Sequence, residues 1–153
     1  MSREAEFELG TDGPSAILVG VDDTTTASRA GFYAAGLARR QGARLIAVFV
    51  APIASAAAAM PSGAALMVAE DQAREQLARD MRERIEAGAK ELGINATFVV
   101  AHGDPFTEIK RIAAETRADA IVVGASARAG HRFVGSLAVR LVRAGRWPVT
   151  VVP

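Results

Sequence analysis

Five short runs of β-branched and apolar residues, at 16–21, 44–50, 96–101, 120–123 and 149–152, constrain this chain more than any other feature of it. Each has the length of a buried strand. The segments between them carry helical spacing, and strands alternating with helices give an α/β fold whose parallel sheet is covered on both faces. With 153 residues, half of them hydrophobic, the chain has enough apolar material for one core. A single domain over 14–153 is expected, preceded by a polar, acidic and mobile tail over 1–13.

The helix boundaries are written in local chemistry. Thr24, Thr25 and Thr26 offer hydroxyl caps for a first helix that buries Ala30, Ala34, Leu37 and Ala38 and stops at Gly42. A second helix over about 70–92 puts Ala73, Leu77, Met81, Ile85 and Leu92 near one stripe and stops at Gly93. The alanine-rich stretch before it, 51–69, is interrupted by Pro52, Pro61 and Gly63 and reads as a long loop. Asp104 followed by Pro105 marks the start of a third helix, with Phe106, Ile109, Ile112 and Ala113 turned inward. A fourth starts at Gly135-Ser136, carries Leu137, Leu141 and Val142, and ends at Gly145 before Trp147-Pro148.

Composition removes whole classes of function. The 18 basic and 17 acidic side chains nearly cancel, so no general field draws in nucleic acid. With no cysteine, disulfides, thiolate metal sites and thiol nucleophiles are excluded. No segment has the length and hydropathy of a membrane span, and the N-terminus lacks the basic start and apolar run of a secretory signal, so a cytoplasmic protein is expected. The P-loop pattern, the G-x-S-x-G elbow and the dinucleotide fingerprint G-x-G-x-x-G are all missing. A metal site would need both histidines, His102 and His131, together with carboxylates, so none is expected; a His102–Asp104 pair at the sheet edge is conceivable, but no catalytic pair can be named.

In an open parallel sheet, ligands bind beyond the carboxyl ends of the strands. Asp22-Asp23 and the threonine run follow the first strand there, and a glycine-rich segment from Gly124 to Gly135-Ser136 follows the fourth and leads into a helix. Glycines admit an anion close to backbone N–H groups, and a helix N-terminus favours negative charge, so the second segment has the chemistry of a phosphate site. A plain strand-to-helix connection, with Asp22 and the threonines acting as helix caps, is the competing reading.

Val19-Gly20-Val21-Asp22, Gly103-Asp104-Pro105, Val122-Val123-Gly124, Gly135-Ser136 and Trp147-Pro148-Val149-Thr150-Val151-Val152 occur together in one order. From about Ser15 onward the chain resembles the universal stress protein family. That resemblance implies a five-stranded parallel sheet in the order 3-2-1-4-5. It also implies an adenine-nucleotide site, for ATP or a relative carried with or without magnesium, with Asp22 and Val50 near the base. Gly124 and Gly135-Ser136 match its phosphate end, with Leu137 next in the helix; in the loop between them Gly130 offers a glycine in another register, and Arg128, His131 and Arg132 offer charge to a phosphate unless they are merely solvated. The family's phosphate motif is G-x-x-G, nine residues, then G-S/T. Here Ala127 stands at the second glycine and residues 128–134 fill a gap two residues short.

The expected function is therefore an adenine-nucleotide-binding stress-response module, not an enzyme. The family habit of pairing through the last strand implies a homodimer across 149–152, with Trp147 at the interface or in the core. The shortened loop keeps open a nucleotide-independent dimer acting through protein partners. Slow ATP hydrolysis ranks third.

Overall fold

The computed structural model describes residues 13–53, 63–126 and 134–153. β1 (Ala16–Gly20) lies at the centre of one parallel sheet, between β2 (Arg44–Ala51) and β4 (Ala120–Gly124), with β3 (Ala96–His102) and β5 (Val149–Val152) at the two edges. The order β3-β2-β1-β4-β5 is the one the resemblance implies. Alternate side chains of each strand feed two cores. Ile17, Val19, Leu45, Ala47, Phe49 and Val122 face one layer, and Leu18, Ile46, Val48, Ile121 and Val123 the other.

The first layer is made by α1 (Thr25–Gln41) and α2 (Gly63–Leu92), the second by α3 (Pro105–Glu115) and α4 (Ser136–Ala144). Every buried residue of α1 is alanine: Ala27, Ala30, Ala34, Ala35 and Ala38. A face without bulk lets the helix axis come close to the sheet, and that closeness later decides which residue can stand at the end of β4. Leu37 is only partly buried. α3 inserts Ile109, Ile112 and Ala113, as its spacing predicts, and α4 buries Leu141 and Ala138 while Val142 faces solvent.

Two sequence expectations fail in α2. The helix begins at Gly63, seven residues before the expected start, so part of the stretch read as a loop is helical; residues 54–62 lie outside those described. Alanine is the strongest helix former, and Gly63 stands at the first position of the helix and not in its middle. Ala73, placed on the inward stripe by spacing, is exposed. At 30 residues the helix is about 45 Å long, so it outruns the sheet it packs on; only Gly63 and Met81 are buried.

The N-terminal ends of the strands are tied by one carboxylate. Asp119 Oδ2, just before β4, accepts from the N–H of Ser15 (2.8 Å), the Ser15 hydroxyl (2.9 Å) and the N–H of Ala16 (2.9 Å). Among the described residues no side-chain hydrogen bond joins the opposite ends of β1 and β4, where the chain leaves toward different faces. The expected tail, apart from Gly13, lies outside the described residues. Among the described residues no helix is long and apolar enough to cross a membrane.

Candidate functional site

β1 and β4 are neighbours whose following helices depart to opposite sides, α1 to one layer and α4 to the other. Such a divergence opens a crevice at the strands' carboxyl ends. A cleft of about 540 Å³ lies there, floored by Gly20, Val48, Val50 and Val123 and walled by the first turns of α1, α3 and α4. Of the eight residues named from the sequence, six line it: Asp22, Val50, Gly124, Gly135, Ser136 and Leu137. Arg128 and Gly130 lie outside the described residues, as do Ala127, His131 and Arg132.

Local bonds set the α1 wall. Asp22 Oδ1 accepts from the Thr24 N–H at 2.8 Å and from its hydroxyl at 2.5 Å, while Thr24 Oγ1 in turn accepts from the Ala27 N–H at 3.2 Å and caps the helix. Asp22 thus serves the capping turn through one oxygen. Among the described residues Oδ2 carries no hydrogen bond, which leaves it as an acceptor at the cleft. The α4 wall is built differently. Gly135 occupies the N-cap position at φ 80, and among the described residues no side chain caps the helix. A side chain at Gly135 would be strained by that φ, and its Cβ would stand 3.1 Å from the Ser126 Cβ. The free N–H groups of the first turn of α4 belong to a stretch, Gly135 to Ala138, that lines the cleft throughout.

Gly124 has a different reason to be glycine. A Cβ there would lie 2.6 Å from the Thr26 carbonyl carbon and 2.7 Å from the Ala27 nitrogen, because α1 packs its backbone against the end of β4. Sequence reading did not place Thr26 or Ser126 in the site, yet both line it. The threonine run and the Gly124-Ala-Ser tract were visible, but which hydroxyls cap and which face the cleft depends on the helix packing.

The α3 wall begins at Pro105. Asp104 caps it through Oδ2, which accepts from the Thr107 N–H (3.0 Å) and hydroxyl (2.8 Å), and its Oδ1 meets Arg140 of α4 at 3.3 Å. The Thr107 hydroxyl, then the Thr107 N–H, and to a smaller extent Arg140 hold the Asp104 carboxyl below its usual range. Among the described residues no hydrogen bond joins His102 to Asp104, and no group of three or more His, Cys, Asp or Glu is placed to hold a metal. Trp147 is partly buried against the α3 and α4 core, with the Arg146 guanidinium 5.0 Å from its ring centre.

On the opposite face a groove of about 430 Å³ runs between α1 and α2 over Val19, Leu45 and Met81. It shares Val21, Asp22 and Ala27 with the cleft, and its charged residues besides Asp22 are Arg84 and Glu91. It is mainly apolar and lacks the exposed helix N-terminus that distinguishes the cleft.

Residues 15–153 match the model of the universal stress protein family. No curated protein sequence matches the chain. Among solved structures, a protein of the universal stress protein family from Burkholderia pseudomallei is 29% identical, over 91% of this chain and 96% of that one, with a TM-score of 0.71. Universal stress protein UspA from Lactobacillus plantarum is 28% identical, over 91% and 97%, with a TM-score of 0.72. The universal stress protein from Archaeoglobus fulgidus, solved in complex with dAMP, is 20% identical over 90% and 97%, with a TM-score of 0.61.

Proposed function

That this chain belongs to the universal stress protein family is the premise from which we propose that it is an adenine-nucleotide-binding regulatory module of the stress response, without catalytic machinery of its own. One observation carries the reading: the cleft where β1 and β4 diverge gathers Asp22, Val50, Gly135 and Ser136 around the uncapped N-terminus of α4. Its 540 Å³ falls in the range of about 300–1,000 Å³ common to small-molecule sites. Val48 and Val50 offer an apolar seat for a base, and Asp22 Oδ2 an acceptor for a base or ribose donor. The α4 N–H groups and the Ser136 hydroxyl offer donors to a phosphate. The complex of the distantly similar A. fulgidus protein with dAMP points to the same ligand class.

The loop two residues short of the family motif leaves fewer backbone donors for a triphosphate, so a monophosphate is the preferred ligand. If ATP is bound, its magnesium is carried by the phosphates. Calorimetric titration of the full chain with ATP, ADP, AMP, cyclic AMP and adenosine tests this. Binding of AMP more tightly than ATP is expected; no heat and no thermal shift with any of them at millimolar concentration ends the reading.

Gly124 favours a second reading, since the packing of Thr26 and Ala27 accounts for this glycine without any phosphate. The protein would then be a nucleotide-independent homodimer, joined through β5, that acts on protein partners. Capture of those partners unchanged by added nucleotide favours it.

A further inference from the structure

An anion entering the cleft meets a wall that carries one carboxylate, Asp22, and, among the described residues, no cation. Among the described residues, a positive charge can come only from the rim. Arg140 stands there. It lies one turn beyond Ser136 on α4, and side chains on a helix lean back toward its N-terminus, which here is toward the cleft. Its guanidinium crosses from the α4 wall to the α3 wall, where Nη1 reaches Asp104 Oδ1 at 3.3 Å beside the cleft residue Pro105.

That bond is long for a charge-assisted contact, which closes to about 2.7–2.9 Å when well made. Both side chains are about half exposed, 51% and 47%, so the pair holds weakly. Asp104 does not need it, because its other oxygen makes the two capping bonds to Thr107. Phe106 keeps the guanidinium in place whichever anion it faces, with its ring centre 4.2 Å from the guanidinium carbon. A guanidinium has five donors, and one is engaged among the described residues.

We infer that Arg140 is the residue that selects a phosphorylated ligand, exchanging Asp104 for the ligand's terminal phosphate while Phe106 holds its guanidinium at the mouth of the cleft. The inference rests on the nucleotide reading and names the specificity of that site: a nucleoside monophosphate with a free phosphate dianion over the bare nucleoside.

Titrating the full chain and its Arg140→Gln, Arg140→Lys, Asp104→Asn and double Asp104→Asn, Arg140→Gln variants with AMP, adenosine and inorganic pyrophosphate tests it, with thermal melts to show that each variant is folded. Loss of a charge-assisted contact weakens AMP and pyrophosphate about tenfold in Arg140→Gln and changes adenosine less than about twofold, and Arg140→Lys recovers part of the loss. Asp104→Asn keeps a capping side chain but removes the competing charge, so AMP tightens about two- to fivefold. The double variant returns to the affinity of Arg140→Gln. Unchanged AMP affinity in Arg140→Gln, or equal weakening of AMP and adenosine, overturns the inference while leaving the nucleotide reading intact. A wild-type chain that binds none of the three probes ends both.

Discussion

A methyl group added at Gly124 would stand 2.6 Å from the Thr26 carbonyl carbon and 2.8 Å from its oxygen, distances that real Cβ atoms do not show. The obstruction is backbone, so it cannot turn aside, and α1 would have to lift from the sheet along its alanine face. Gly124→Ala should therefore lower stability by about 1–3 kcal/mol, read as a fall in the urea midpoint with unchanged slope. Because the same glycine lines the cleft, a loss of ligand in that variant follows from displacement of α1, and no phosphate contact need be invoked. Gly135 differs: its φ of 80 and the approach of Ser126 make it a turn residue at the entry to α4. The glycines at the two ends of one motif answer to different constraints, one to helix packing and one to backbone conformation.

At the level of elements, two aspartates hold strand and helix starts, and they should respond to different tests. Asp119 takes three hydrogen bonds from Ser15 and Ala16, so Asp119→Ala should cost about 1–3 kcal/mol by unpairing the entry to β1, measured by denaturation at neutral pH. Asp104 is a question of pH. Its folded carboxyl titrates below the ordinary value of 3.8, mainly through the Thr107 hydroxyl and N–H. A depressed carboxylate stabilises the fold above its unfolded pKa and loses that contribution as pH falls through the folded one. The gap in melting temperature between wild type and Asp104→Asn should therefore stay constant from neutral pH down to about pH 5 and close below about pH 4; a gap independent of pH would show that the charge contributes nothing. Both α3 boundary residues, Asp104 and Pro105, were legible because a cap is local chemistry. The start of α2 was not, because Pro61 and Gly63 say the same thing before a helix as inside a loop. Thr26 and Ser126 were missed for a related reason: the sequence displays the hydroxyls, but only the close seat of α1 on β4 turns them toward the cleft.

For the whole molecule, alternation fixed the α/β class, while the strand order came from the family resemblance, since period and length are the same for a strand at the centre and at an edge. The edge at β5 sets the last question, how two copies meet. In the parallel ladder with β4, Ile121 N–H donates to Pro148 and Ala125 N–H to Val152, so the even-numbered residues of β5 turn their backbone groups toward β4 and Val149 and Val151 turn theirs outward. An isologous dimer through this strand would use those outward groups. Proline at 151 removes an outward N–H and leaves the bonds to β4 in place, and an edge strand tolerates it. Proline at 150 removes a bond that β4 needs. Under the proposed dimer, Val151→Pro should sediment as a folded monomer with its circular dichroism intact, whereas Thr150→Pro should lose stability as well as association. A Val151→Pro protein that remains dimeric places the contact elsewhere, and the exposed Phe32 and Tyr33 of α1 become the next surface to change.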